Sequence, residues 1–358
     1  MSTPRKKTPL PRPKQIAIIG AGMAGITAAR TLTQAGHRVT VFEKSRGAGG
    51  RMATRETVFG SFDHGAQYFT VRDARFTQAM RYALAVSPNV CRPWSANAVR
   101  VLDASGLVAA AALPAMEPHW VAQPGMNTLV KLWAQPLPDL LTHTRVTGIA
   151  RATGKSGQWT LTTMAETGTG TAQKHKGFDA VLLALPVAQA RDLLQGVAAA
   201  SRWADALAKV EIAPCWTLML AFPNASQPGL TTLGPQWSAA RSTHHRIAWL
   251  ARESSKPQRA PIERWTVQAS AAWSREHLQD SPERATAKLL KAFAEVTGIR
   301  AEPAHAVAHR WLYAKTEVPL GKSHLWNATA GLGVCGDWCL GHRVENAFVS
   351  GLELALAI

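Results

Sequence analysis

A chain of 358 residues is long for one small domain and short for three, and 46% hydrophobic against 18% charged residues excludes a disordered or strongly solvating protein. Of the net charge of +17, five charges (Arg5, Lys6, Lys7, Arg12, Lys14) lie in and beside a proline-punctuated N-terminal stretch, and the other +12 are scattered. With no basic helix, zinc finger or RNA-binding aromatic motif, that excess argues for attraction of an anionic small ligand rather than for nucleic-acid binding.

Residues 1–13 read as a basic flexible tail without the apolar stretch of a secretory signal, so a cytoplasmic location is expected. Gln15–Ile19 is an apolar run that fits a buried parallel strand, and Gly20-Ala-Gly22-Met23-Ala24-Gly25 follows it at once. From Ala24 to Ala35 the spacing predicts a helix closed by Gly36, and Arg38–Phe42 predicts a second buried strand ending in Glu43. Strand, glycine turn, helix, strand and acid within about thirty residues make one βαβ unit. The glycines admit a tight turn and close approach to a pyrophosphate at a positive helix end. Glu43 is placed to accept hydrogen bonds from ribose hydroxyls. Gly331, Gly333 and Gly336 repeat the bare spacing but run into a strand-like segment, which makes that second copy spurious.

Arg46-Gly-Ala-Gly-Gly50-Arg51 follows the ribose acid directly. A plain dehydrogenase has no use for a second phosphate-facing loop there. An extended flavin dinucleotide does, with Gly50 and Arg51 bracing the pyrophosphate from the opposite side.

Further blocks follow in order: Phe62-Asp-His64-Gly65-Ala66-Gln67-Tyr68-Phe69; Pro124-Gly125-Met126, opening a helix to about Trp133; then a small β-meander through Val146 and Trp159 back to a buried strand at 180–185. His309-Arg310-Trp311 and Gly336-Asp337-Trp338, the latter followed by Arg343-Val-Glu-Asn346-Ala347 and a helix to Ile358, complete the set. With the double glycine fingerprint, these blocks resemble the flavoprotein superfamily of amine oxidases and phytoene desaturases, and within it the renalase-like proteins. The resemblance covers residues 15–351.

It implies an α/β fold: a Rossmann-type FAD-binding domain (14–86, 122–186 and 306–358) interleaved with an α+β substrate domain (87–121 and 187–305). It implies non-covalent FAD held by Gly20, Gly22, Met23, Ala24, Gly25, Glu43, Lys44, Gly50, Arg51, Gly65, Ala66, Val146, Gly336, Asp337, Asn346 and Ala347. In the family, the acid at Asp337 contacts the flavin ribityl chain, the next helix points its positive end at the flavin N1/C2 edge, and the backbone at Val146 contacts adenine. Expected beside the flavin are Gln67, Tyr68, Arg310 and Trp311 as substrate-contacting residues, with His64 behind them.

No Gly-x-Ser-x-Gly elbow, metal-ligand histidine spacing or Cys-x-x-Cys pair is present, so hydrolase and metal chemistry find no motif. The four cysteines read as reduced thiols. The leading expectation is an FAD oxidase that takes hydride from misreduced (2- or 6-dihydro) isomers of NAD(P)H, an anionic dinucleotide substrate, with O2 reoxidising the flavin. The alternatives are a flavin amine oxidase and a non-enzymatic flavin-bearing redox or nucleic-acid-binding protein. No membrane segment is expected, since no uncharged apolar stretch approaches the roughly 18 residues of a spanning helix.

Overall fold

The computed structural model describes residues 12–94, 99–110, 117–152, 157–165, 171–226 and 237–358. All but the last two residues of the basic tail lie outside this set. The first unit forms as its spacing predicts: β1 (Gln15–Ile19), α1 (Met23–Gln34) and β2 (Arg38–Phe42). β1 has parallel neighbours on both sides, β2 on one and Ala180–Leu183 on the other, and Ile16, Ala17 and Ile18 are fully buried. A strand covered on both faces needs consecutive apolar residues, which is why no alternation is visible in it. Gly36, at φ +89° just after the C-cap Ala35, ends the helix in the left-handed region.

The main sheet has six strands in the order Leu325–Asn327, Leu332–Val334, Ala180–Leu183, β1, β2, Asp139–Leu141. Only Leu325–Asn327 runs antiparallel to its neighbour. Gly331–Gly336 does lead into a strand, so the bare repeat of the glycine spacing is not a second nucleotide turn. The helix Val344–Leu356 lies against α1, and a Cβ on Gly351 would come 2.1 Å from the Ala24 carbonyl oxygen. A larger residue would push the two helices apart. The meander Thr144–Arg151, Trp159–Ala165, Gln173–Phe178 covers the other face of the sheet through Val146, Trp159, Leu161 and Phe178.

A seven-stranded sheet forms the second unit, in the order His305–Val318, Glu211–Phe222, Glu263–Ala269, Ile247–Arg252, Ala239–Ser242, Val99–Leu102, Val108–Ala110. One face, with Trp216, Leu218, Leu220 and Trp265, packs on the helix Pro282–Thr297 through Leu289, Ala292 and Phe293. That helix starts at a Ser281 cap and stops at Gly298. The other face looks toward the nucleotide domain. A boundary at 306 assigns residues 306–318 to the FAD domain, but the strand His305–Val318 pairs with Glu211–Phe222 along most of its length and belongs to this sheet. The error has a physical cause: a strand entering the sheet from a distant point in the chain leaves no composition change where it crosses. No helix among the described residues is long and apolar enough to cross a membrane.

Candidate active site

Between the two units runs a cleft of about 2100 Å³. At one end Glu43 is buried, its Oε2 accepting from the Ala21 N–H at 2.7 Å and its Oε1 from the Ser45 N–H at 2.8 Å. The Thr144 N–H donates to the Glu43 carbonyl at 2.9 Å, which brings Val146 and the meander to the same end. Lys44 and Val146 line the cleft there.

In the middle the two glycine turns meet. Gly20 has φ +105°, and a Cβ on it would lie 2.5 Å from the Ala184 oxygen. Gly25 does not border the cleft; a Cβ there would be 1.9 Å from the Gly20 oxygen, so this glycine lets α1 close on the turn. Gly22 is open, with only the Gly50 Cα within 3.9 Å of its Cβ position, and a Cβ on Gly50 would stand 3.1 Å from the Gly22 Cα. A channel walled by backbone is the result. Met23 and Ala24, in the first turn of α1, line it too.

Toward the far end, Arg51 makes a two-pronged pair with Asp337, Nη1 donating to Oδ2 at 3.0 Å and Nη2 to Oδ1. The guanidinium expected to brace a pyrophosphate thus holds the acid expected at the ribityl chain. Ala66 N–H donates to the Arg51 carbonyl at 2.9 Å, and a Cβ on Gly65 would come 2.0 Å from the same oxygen. Gly65, Ala66, Gly336 and Ala347 line the cleft. Asn346 does not: its Oδ1 accepts from the Arg343 N–H at 3.0 Å and caps the helix Val344–Leu356, whose N-terminus opens on the cleft through Val344 and Ala347. Asn346 thus orders the helix end that faces the cleft.

The turn 63–67 carries the expected substrate-side residues. Trp311 Nε1 donates to the His64 carbonyl at 2.8 Å, and its ring lies 5.2 Å from the His64 ring at 30°. His309 stands edge-on to both, at 4.9 and 4.7 Å. Burial, and then the neighbouring His309 and Arg55, push the His64 pKa down to about 3. Burial and then Arg55 push His309 down to about 4. Both imidazoles are neutral at pH 7. Tyr68 stacks on His119 at 3.9 Å and lies 5.7 Å from Trp249. Gln268, unnoticed in the sequence, donates from Nε2 to the Gly65 carbonyl at 2.7 Å.

Gln67 and Arg310 both line the cleft, but their polar groups are engaged elsewhere. Alternation puts the Arg310 side chain opposite His309 and Trp311, its Nη1 donates to the Leu278 carbonyl at 2.6 Å, and its guanidinium lies 5.7 Å from the Trp216 ring. Gln67 is buried, with Nε2 donating to the carbonyls of Asp63 and Gly65 and Oε1 accepting from Lys256 at 3.4 Å. It braces the turn.

Beneath that turn is an ion network that sequence reasoning missed. Lys256 Nζ is 3.0 Å from Asp63 Oδ2 and 3.0 Å from Glu253 Oε1, and Arg259 Nη2 is 2.6 Å from Asp63 Oδ2. Asp63 Oδ1 accepts from Thr54 Oγ1 at 2.7 Å and from the Met126 N–H at 2.8 Å. Lys256 and Arg259 hold the Asp63 carboxyl below its usual range against the opposing effect of burial. No other signal than the Asp63-His64 motif marks these positions in the sequence.

Glu43 at one end, the backbone channel between Gly22 and Gly50, and the Asp337–helix pair at the other fit a dinucleotide whose second half is a flavin. Of the described cysteines, only Cys215 borders the cleft, and burial pushes its thiol up to about 11. Cys335, at about 12, and Cys339 are raised by burial as well. None is poised to attack a flavin. The fold and this cleft together fit an FAD-dependent oxidoreductase. Residues 18–83 match the NAD(P)-binding Rossmann-like domain, and residues 110–358 match the flavin containing amine oxidoreductase family, to which the chain belongs.

Among solved structures, a putative protoporphyrinogen oxidase from Exiguobacterium superposes with a TM-score of 0.73 at 12% identity, over 96% of this chain and 98% of that one. A wild-type putrescine oxidase bound to putrescine superposes with a TM-score of 0.64 at 13% identity, over 96% and 98%. At such identities the likeness is one of fold. The L-amino-acid oxidase of Bothrops pauloensis is 57% identical over 42 residues, which is 12% of this chain and 8% of that protein. The L-amino-acid oxidase of Daboia russelii is 54% identical over 46 residues, 13% and 9%.

Proposed function

We propose that the protein is a renalase-like flavin oxidase: NAD(P)H in its 2- or 6-dihydro form, with a proton and O2, gives NAD(P)+ and hydrogen peroxide. The observation that carries this reading is the wall of rings around the 63–67 turn. His64, His309, Trp311, Tyr68, His119 and Trp249 are all aromatic, and none brings a carboxylate. Asp63, next to His64, is spent on Lys256 and Arg259, and Glu117, near His119, is spent on Arg72. Such a wall suits a flat uncharged ring, and it offers a cationic amine ring faces but no carboxylate to pair with.

FAD, when bound, supplies the hydride acceptor and the route to O2. The chain supplies position. Trp311 and Gln268 tie the carbonyls of His64 and Gly65, so the turn keeps one shape, and the neutral rings exclude water from it. A dihydropyridine becomes aromatic as it loses hydride, so no side chain has to take a proton from it. Domain limits near 87, 122 and 187 remain part of the proposal, with 306–318 moved to the substrate unit, as does non-covalent FAD.

Steady-state peroxide production separates the readings. The panel holds 2- and 6-dihydro isomers of NAD(P)H, ordinary NADH, putrescine and L-amino acids. Peroxide from the isomers is expected. Peroxide from amines or amino acids alone contradicts the proposal and leaves an amine oxidase.

A further inference from the structure

At the mouth of the same cleft lies a cation that the fold has not used. Arg241 is on the strand Ala239–Ser242, directly across from Trp249 on Ile247–Arg252, and both line the cleft. Residues opposite one another in an antiparallel pair share a face, about 5 Å apart at Cβ. Trp249 is the end of the ring stack that continues through Tyr68 to His119. Arg241 is exposed and makes no hydrogen bond or ion pair with any described residue. Most other arginines on this unit are spent: Arg252 on Glu263, Arg259 on Asp63, Arg275 on Glu317, Arg310 on the Leu278 carbonyl.

Two further polar groups beside it are idle. Trp249 Nε1 and His119 Nδ1 are buried with no hydrogen-bond partner, and the His119 residue is 9% exposed. A buried N–H without an acceptor is costly, and a binding site is one reason a protein keeps it. Burial lowers the His119 pKa, and Arg241 lowers it further, so the ring beside the guanidinium stays neutral. The only acid that acts on His119, Glu117, is tied to Arg72.

We infer that Arg241, with the Tyr68–Trp249 faces beside it, is an anion subsite that takes a phosphate of the substrate remote from the reacting ring. The inference rests on the reading of the site as one for a dinucleotide. It adds a residue that recognises the charged half, whereas the Arg310 guanidinium is engaged with the Leu278 carbonyl. A guanidinium fork matches two oxygens of a phosphate, and a neighbouring ring gives the attached sugar or base a face to lie on.

The test titrates inorganic pyrophosphate and NAD+ into the FAD-loaded protein by calorimetry. It compares wild type with Arg241→Gln and with Lys174→Gln, an exposed charge on the meander that does not line the cleft. Arg241→Gln should weaken both ligands on the order of tenfold or more, the loss of one charge-assisted pair. Lys174→Gln should change neither. In turnover, Arg241→Gln should raise KM for the dinucleotide isomers while kcat and the KM of the corresponding dihydronicotinamide riboside, which has no phosphate, stay as they are. Equal pyrophosphate and NAD+ binding by wild type and Arg241→Gln, or equal weakening by Lys174→Gln, overturns the subsite. If that happens while the isomers still bleach the flavin, the reaction stands and only the subsite falls. If the isomers fail and pyrophosphate still depends on Arg241, the subsite stands for another anionic substrate.

Discussion

Glu43 has two duties, and only one is visible in the motif. The spacing from the glycine turn marks it as a ribose acceptor. In the structure its carboxylate also takes the N–H groups of Ala21 and Ser45, so it ties the glycine turn to the loop that follows β2. Glu43→Ala should therefore weaken FAD by about tenfold to a hundredfold, from charge-assisted bonds worth about 1.5–3 kcal/mol. Titration of the FAD-free protein by flavin fluorescence measures it; unchanged affinity contradicts both duties. Arg310 and Gln67 show why the substrate side was less legible. Which face a strand residue takes depends on the sheet it joins, and a three-residue motif carries no information about that sheet. Gln67 follows Asp63 by four positions in a turn, and its amide closes back on that turn instead of facing outward. The glycines were legible because their reason is local backbone geometry.

The glycines of the first turn separate a packing duty from a binding one at the scale of elements. A methyl on Gly25 collides with the Gly20 oxygen at 1.9 Å and drives α1 off the turn, whereas one on Gly22 meets only the Gly50 Cα at 3.9 Å but fills the channel. Gly25→Ala should lower the thermal midpoint of the FAD-free protein. Gly22→Ala should leave that midpoint nearly unchanged and lose FAD. A FAD-free protein that loses stability equally in both variants contradicts the division. The ion network is the second element-scale feature. Lys256 and Asp63 are 193 residues apart in sequence, and each lies in a segment without periodicity, so no spacing could announce the pair. Lys256→Met keeps the length of the side chain and leaves Asp63 and Glu253 buried with less compensation. Breaking such a pair costs about 3–5 kcal/mol. Denaturant unfolding measures it, and a loss below 1 kcal/mol, on the scale of an exposed pair, contradicts the burial argument.

The whole molecule is two sheets with a cleft between them, and the two halves were read with unequal success. The nucleotide half announces itself through consecutive apolar strands, a helix stop and glycines at fixed offsets, all within about thirty residues. The substrate half is a mostly antiparallel sheet whose strands come from four separated stretches of chain, so its order and its faces appear only in the folded protein. Its cleft-facing side is what turns a family fold into a specific site. On the proposed reading, the basic excess favours approach of an anionic substrate at long range, with Arg241 to receive it.

The central claim is that the wall of neutral rings serves a hydride donor that needs no base. Anaerobic stopped-flow bleaching of the flavin, followed from pH 6 to 9, tests it most directly. His64 at about 3 and His309 at about 4 stay uncharged throughout that range, so neither imidazole titrates within it. An amine, with a pKa near that of lysine at about 10.4, must lose a proton before it can give up hydride, and its rate climbs with pH. The account predicts rapid bleaching by 2- or 6-dihydro isomers of NAD(P)H at a limiting rate nearly flat in pH. Rapid bleaching by amines, rising steeply with pH, with no response to any dihydronicotinamide, would contradict it.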